Sequence, residues 1–317
     1  MTNAFFDAII ESEIGFAEIR IRAVKIMLLS SSHSQFARKM STEDSIKLMA
    51  DAGFDAIDFS LHISEEYYGE QTDGELGKQK FLEWRALAES RGIVFNQAHA
   101  PEGSSYRDMD RTVRRFHDIR RAIRNASYLG IPIVVVHPVQ HLQYCEPGVP
   151  EQLFEWNMQF YNALKPYAEE YGVKIGVENM WQMPGGIKID HSTCSRPEEF
   201  VRYIDTLNSD CFVACLDIGH APLVGVDPCE LIRALGKDRL KALHVHDVDG
   251  KDDLHTLPYF SKINWDKVCA ALKEIGYEGD LTFEAGNFVN PLPAELSRPA
   301  ADMMVAVGRH LIKKIKD

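Results

Sequence analysis

Residues 168–179 read AEEYGVKIGVEN: the end of an amphipathic helix, a glycine able to stop it in the left-handed conformation, and a short β-branched run that closes on an acid. The same phrase recurs as LMADAGFDAIDFS at 48–60, LAESRGIVFNQAH at 87–99, ASYLGIPIVVVH at 126–137, LIRALGKDRLKALHVH at 231–246 and ALKEIGYEGDLTFEA at 271–285. Stop glycines at 53, 92, 130 and 172 are spaced by 39, 38 and 42 residues, and those at 236 and 276 by 40. Each step is the length of one strand, loop and helix. Between Gly172 and Gly236 lies a further unit, in which Ser195-Arg196-Pro197-Glu198 reads as a capping box and Asn208 takes the stop position before FVACLD.

Eight strands follow: Lys25–Ser30, Ala56–Ser60, Ile93–Gln97, Ile133–Val136, Lys174–Glu178, Phe212–Leu216, Ala242–His246 and Leu281–Glu284. Strict alternation with helices implies a parallel sheet and right-handed crossovers, and eight units favour closure into a single-domain α/β fold, a (β/α)8 TIM barrel over residues 25–317. An open doubly wound sheet would want a glycine-rich phosphate loop after its first strand, and MLLSSSHSQF has no glycine. Residues 1–24 are expected to form an N-terminal extension.

Composition narrows the function classes. With 47 acidic against 35 basic residues the formal charge is -12, which repels phosphate backbones and anionic membranes, so no nucleic-acid or membrane partner is expected. No apolar run reaches 18 residues and the N-terminus lacks the basic start of a signal peptide, so a cytoplasmic protein is expected. The six cysteines form no C-x-x-C pair and read as reduced thiols.

In such barrels functional groups gather at the C-terminal strand ends. Here those ends carry Gln97 and His99, His137, Glu178 and Asn179, Asp217 with His220 beyond it, His246 with Asp247, and Glu284. Any one of these alone reads as a structural residue. Six polar strand ends on one rim require a cation to be tolerated. Three carboxylates with one imidazole make an oxygen-rich site for one divalent ion, with Mn²⁺, Mg²⁺ or Co²⁺ favoured over Zn²⁺. The expected ligands are Glu178, Asp217, His246 and Glu284. His244 and His246 share a strand face, and His246 is taken as the ligand because it lies nearer the mouth. His99, His137, His220 and Asn179 are the expected substrate contacts, and Trp181 is read either as an apolar wall for a sugar ring or as packing.

Val-Glu-Asn at 177–179, Leu-Asp-Ile-Gly-His at 216–220, His-Val-His-Asp at 244–247 and Thr-Phe-Glu-Ala at 282–285 together resemble the xylose-isomerase-like barrel superfamily of sugar-phosphate isomerases and epimerases. The resemblance implies that Glu178 and Glu284 act as acid and base as well as ligands, and that His220 meets a substrate hydroxyl. It implies an isomerase or epimerase of a sugar, sugar phosphate or related polyol or keto acid, a carbohydrate substrate, and homo-oligomers. The chain departs from ketose 3-epimerases of that superfamily, which carry an Arg six residues after the strand-7 ligand, where Asp252 stands here. Dehydratases of the inosose or dehydroshikimate type use the same metal platform. A phosphodiesterase resembling the trinuclear abasic-site endonucleases is the other alternative, with His99, His137, His220, Asp253 and His255 as its added ligands. Against it stands DVDGKDDLHTLPYF, which offers four aspartates to one lysine where a duplex would need phosphate contacts.

Overall fold

The computed structural model describes residues 26–61 and 75–317, and the proposed extension at 1–24 lies outside them, as does Lys25. Among the described residues, eight parallel strands alternate with eight principal helices. The strands are β1 (Leu29–Ser32), β2 (Ala56–Ser60), β3 (Val94–His99), β4 (Ile133–Val136), β5 (Lys174–Glu178), β6 (Phe212–Asp217), β7 (Leu240–His244) and β8 (Leu281–Phe283). The helices are α1 (Thr42–Ala52), α2 (Glu75–Ser90), α3 (Met109–Leu129), α4 (Val149–Tyr171), α5 (Pro197–Leu207), α6 (Pro228–Arg239), α7 (Trp265–Glu274) and α8 (Ser297–Lys316). Neighbouring strands pair in order from β1 to β7, β8 pairs with β1, and the ring closes where Val245 N–H donates to Thr282 O at 2.9 Å and Glu284 N–H to Val245 O at 3.1 Å. The chain is a (β/α)8 TIM barrel.

Local chemistry sets these elements as their residues dictate. Gly53, Gly130 and Gly172 and the non-glycine Asn208 all cap their helices in the left-handed region. Gly236 also has positive φ, of 63°, and breaks the helix with a kink, after which a short helical turn reaches Arg239. The capping box at Ser195 does not form: α5 starts after Arg196, which makes no side-chain cap, and Ser195 Oγ accepts from Ser192 N–H at 2.8 Å instead. Strand β1 begins four residues later than Lys25, and β7 runs from Leu240 to His244, two residues earlier than expected at each end.

One apolar layer, including Phe59, Phe81, Trp84, Tyr161, Phe200 and Phe283, fills the space between strands and helices. The barrel interior is closer to small-residue packing on one side, where Val135, Cys215 and Ala242 cluster and Cys215, Ile133 and Val135 surround Gly176. On the other side it is polar: Ser30 Oγ donates to Asn96 Oδ1 at 2.8 Å and Asn96 Nδ2 to Asp280 Oδ2 at 3.0 Å. Every one of the six cysteines carries a free thiol, and among the described residues no helix is long and apolar enough to cross a membrane.

One buried acid sets a pH dependence of stability. Burial pushes Glu199 on α5 from 4.5 up to about 7, against the opposing pull of Tyr144 and Arg196. Between those two values the folded chain holds a proton that the unfolded chain releases, so stability falls as pH rises through the window. The shift corresponds to on the order of 3 kcal/mol. Urea midpoints measured across that range are expected to fall for the wild type and to fall less steeply for Glu199→Gln, in which the buried Asp58, raised to about 6, still contributes.

Candidate metal centre

Among the described residues, the strand ends place four overlapping groups of donors side by side at the C-terminal rim, of which His99, His244 and Glu284 form one that shares its members with the others. In the first, one ligand atom from each of Glu178, Asp217, His244 and Glu284 lies within 4.8 Å of the others. His244 Nδ1 is 2.8 Å from Glu178 Oε1, 3.4 Å from Glu284 Oε2 and 4.0 Å from Asp217 Oδ2. The fourth member of this group is His244, while the expected ligand His246 reaches the same centre from Asp217, with Nε2 3.0 and 3.1 Å from the two carboxylate oxygens. Register sets their places: Asp217 pairs with His244 across β6 and β7, so His244 stands level with the carboxylates while His246 is past the strand end.

His246 joins the second group, with His220, Asp253 and His255. Its ring stacks on that of His255 with centroids 4.0 Å apart, and its Nε2 is 3.0 Å from Asp217 Oδ1, which links this group to the first. Gly219 makes room for it, because a Cβ at that position would stand 2.1 Å from His246 Cε1. The Gly219 backbone is right-handed helical, so the requirement is one of space and not of conformation. Gly219→Ala is expected to displace the imidazole and cost about 1–3 kcal/mol, as overpacking does, read from urea denaturation.

The third group is His99, His137 and Glu178. Glu178 Oε2 lies 3.1 Å from His137 Nε2 and 3.6 Å from His99 Nε2, and the two imidazole nitrogens face each other at 3.1 Å. Glu178, only 1% exposed, thus turns one oxygen to each of two groups.

Backbone carbonyls orient the rings. His99 Nδ1–H donates to Ala100 O at 2.6 Å, His220 Nδ1–H to Asn179 O at 2.8 Å, and His255 Nδ1–H to Glu284 O at 2.9 Å. A carbonyl only accepts, so the proton sits on Nδ1 and each Nε2 is aimed into the rim, the arrangement typical of metal-ligating histidines. Asn179 is spent on Asp217: it accepts from Asp217 N–H at 2.8 Å and donates to Asp217 O at 2.9 Å. It clamps that strand end. Trp181 is partly buried against the main core.

The electrostatics ask for positive charge. Burial would lower His99, but the Glu178 carboxylate brings it up to about 9, and Asp253 overrides burial to bring His255 up to about 10. Burial would raise Glu178, but His244, His137 and His99 hold it well below the usual carboxylate range. Without an ion, acids this deep stay charged only beside protonated imidazoles. A divalent cation would replace those protons. His246 Nδ1 and Asp253 Oδ1, both buried, have no hydrogen-bond partner, and the donor set of imidazoles and carboxylates suits zinc, manganese or cobalt. The residues fit a metal.

One acid escaped the reading of strand ends. Asp58, in the middle of β2, is 1% exposed and turns Oδ2 toward His244 Nε2 at 3.8 Å, with burial raising it to about 6. Its signal was an acid in the apolar run AIDFS. Asp253 and His255, named from the sequence as added ligands of the phosphodiesterase alternative, do stand together with His220 and His246.

Comparisons with known proteins agree with this architecture. A family model described as xylose isomerase-like TIM barrel matches residues 46–306. The chain is 33% identical over 171 residues to uncharacterized protein MJ1311 of Methanocaldococcus jannaschii, a match that covers 53% of this chain and 56% of that protein. It spans little more than half the length of that relative. Uncharacterized protein y4fM of Sinorhizobium fredii is 24% identical over 256 residues, with 76% and 79% of the two chains covered. Among solved structures, the IOLI protein with a bound zinc atom superposes with a TM-score of 0.74 at 18% identity, covering 91% of this chain and 99% of that one. A D-tagatose 3-epimerase-like protein gives 0.69 at 22% identity, covering 92% and 98%. At these identities the likeness is one of fold.

Proposed function

Since the chain belongs to the xylose isomerase-like TIM barrel family, we propose that it is a divalent-metal-dependent isomerase or epimerase of a sugar, sugar phosphate or related polyhydroxylated carbonyl compound. The observation that carries this reading is the meeting of Glu178, Asp217, His244 and Glu284, from four successive strand ends, within 4.8 Å. Structural relatives described as sugar epimerases support the substrate class.

The two glutamates are not equivalent. Glu284 keeps 25% of its side chain exposed, whereas Glu178 keeps 1%. Glu284 is therefore the group that takes a proton from the carbon beside the substrate carbonyl. Glu178, facing the same centre and held ionised by His244 and His137, is the second carboxylate, placed to serve the opposite face. When bound, a divalent cation supplies the positive charge that a developing enediolate needs. His220 and His137 line the rim as substrate contacts. Counted six residues on from either strand-7 histidine, the chain has Gly250 or Asp252 and no arginine, which favours a substrate other than a free ketose.

The test is proton exchange. Incubation in D₂O with ketoses, ketose phosphates, inososes and hydroxypyruvate should place deuterium beside the carbonyl of at least one class. No exchange with any of them overturns the reading. A dehydratase would begin with the same proton removal and reveal itself by loss of water from the product.

A second reading, a phosphoester hydrolase, is favoured by one observation: the donor groups on either side of the first are themselves complete enough to hold cations. The formal charge of -12 opposes a nucleic-acid substrate. Hydrolysis of phosphodiester substrates with three ions bound per chain, and no proton exchange, would decide for it.

A further inference from the structure

We propose that Asp247 is a positioning residue, which holds segment 248–264 folded against the rim so that Asp253 and His255 stay beside His220 and His246. Asp247 is fully buried, yet neither a cation-facing group nor a salt bridge accounts for it. Its carboxylate collects four donors from further along the chain: Tyr259 N–H at 3.0 Å, Ser261 N–H at 3.2 Å and Trp265 Nε1–H at 2.9 Å on Oδ2, and Ile263 N–H at 3.0 Å on Oδ1. Its backbone pairs with Thr256 in both directions, at 2.8 and 3.3 Å. One residue thus grips the segment at its middle and along its return.

The segment needs such a grip. His255 and Tyr259 both have positive φ, of 40° and 75°, a conformation that side chains with a Cβ disfavour and that persists only where the surroundings impose it. In that conformation His255 donates to Glu284 O, sets Nε2 3.0 Å from Asp253 Oδ2 and stacks on His246. A buried carboxylate satisfied by backbone N–H groups is a strong local organiser. The charge of Asp247 therefore acts at a distance: it reaches the donor group through the loop it shapes, and touches none of the four donors' ligand atoms.

This inference rests on the cation reading of the rim, and the experiment separates the two. Full-length wild type, Asp247→Asn and Lys262→Ala are loaded with Zn²⁺, dialysed, and assayed for ions per chain; metal-free samples of each are followed by amide hydrogen exchange. Asp247→Asn is expected to keep at least one ion fewer than wild type and to exchange the amides of 256, 259, 261 and 263 about 10-fold faster. Lys262→Ala, in the same segment, should match the wild type in both. Trp265→Phe, which deletes one donor and keeps the carboxylate, gives a smaller change in the same direction and stands in where Asp247→Asn does not fold. An unchanged ion count together with unchanged exchange overturns the proposal. If wild type itself takes up no Zn²⁺, the cation reading fails, and the exchange data alone decide whether Asp247 shapes the segment.

Discussion

Glu284→Gln is expected to lower turnover by at least about 100-fold, the loss typical when a general acid or base is removed. The substitution keeps the shape of the side chain and deletes its ability to take a proton. Its folding cost should be small, because Glu284 is the most exposed of the four clustered donors at 25% of its side chain. Substrate affinity is expected to change far less than turnover, since the lost interaction is one made during reaction. Glu178→Gln should lose as much turnover, but with an added fall in stability, because an amide cannot satisfy His244 on one oxygen and His137 on the other. The check is kcat and KM for each variant beside a urea midpoint. Near-full rates in both variants would remove the two glutamates from the chemistry.

Stripping divalent metal is expected to stop turnover and to lower the melting temperature. A ligand present at about 1,000 times its Kd stabilises by about 4 kcal/mol, which in a domain of this size corresponds to on the order of 10 °C. Restoring Mn²⁺, Co²⁺, Mg²⁺ or Zn²⁺ one at a time should recover both properties, and the ion that recovers activity at the lowest concentration identifies the working metal. Because the ligand imidazoles must give up the protons that Glu178 and Asp253 now stabilise on them, reloading should release acid into an unbuffered solution. A melting temperature indifferent to chelator would contradict a cation at the rim.

Much of this was legible in the amino-acid sequence, for reasons that differ by residue. The fold could be read because helix stops and β-branched runs repeat at the length of one barrel unit, and local chemistry suffices to set them. Glu178, Asp217 and Glu284 could be read because each interrupts an apolar strand at its last residue or just beyond. The relative placement of His244 and His246 could not: both lie on one face, and only the pairing of β6 with β7, a non-local fact, sets which stands level with Asp217. The grip of Asn179 on the Asp217 backbone could not be read either, because it is a contact between strands that spacing does not reveal. Asp247 looked like one more rim acid, and its four partners are drawn from residues 12 to 18 positions later.

Glu178 turns its two oxygens to different neighbours, and this has a consequence for how the rim fills. An ion seated among Asp217, His244 and Glu284 would draw electron density from the same carboxylate that a second ion beside His99 and His137 must use. Uptake at the two positions is then cooperative, in one sense or the other, and by reciprocity each modifies the other's affinity by the same factor. A calorimetric titration of stripped protein should depart from identical independent sites, and Glu178→Gln should abolish the departure.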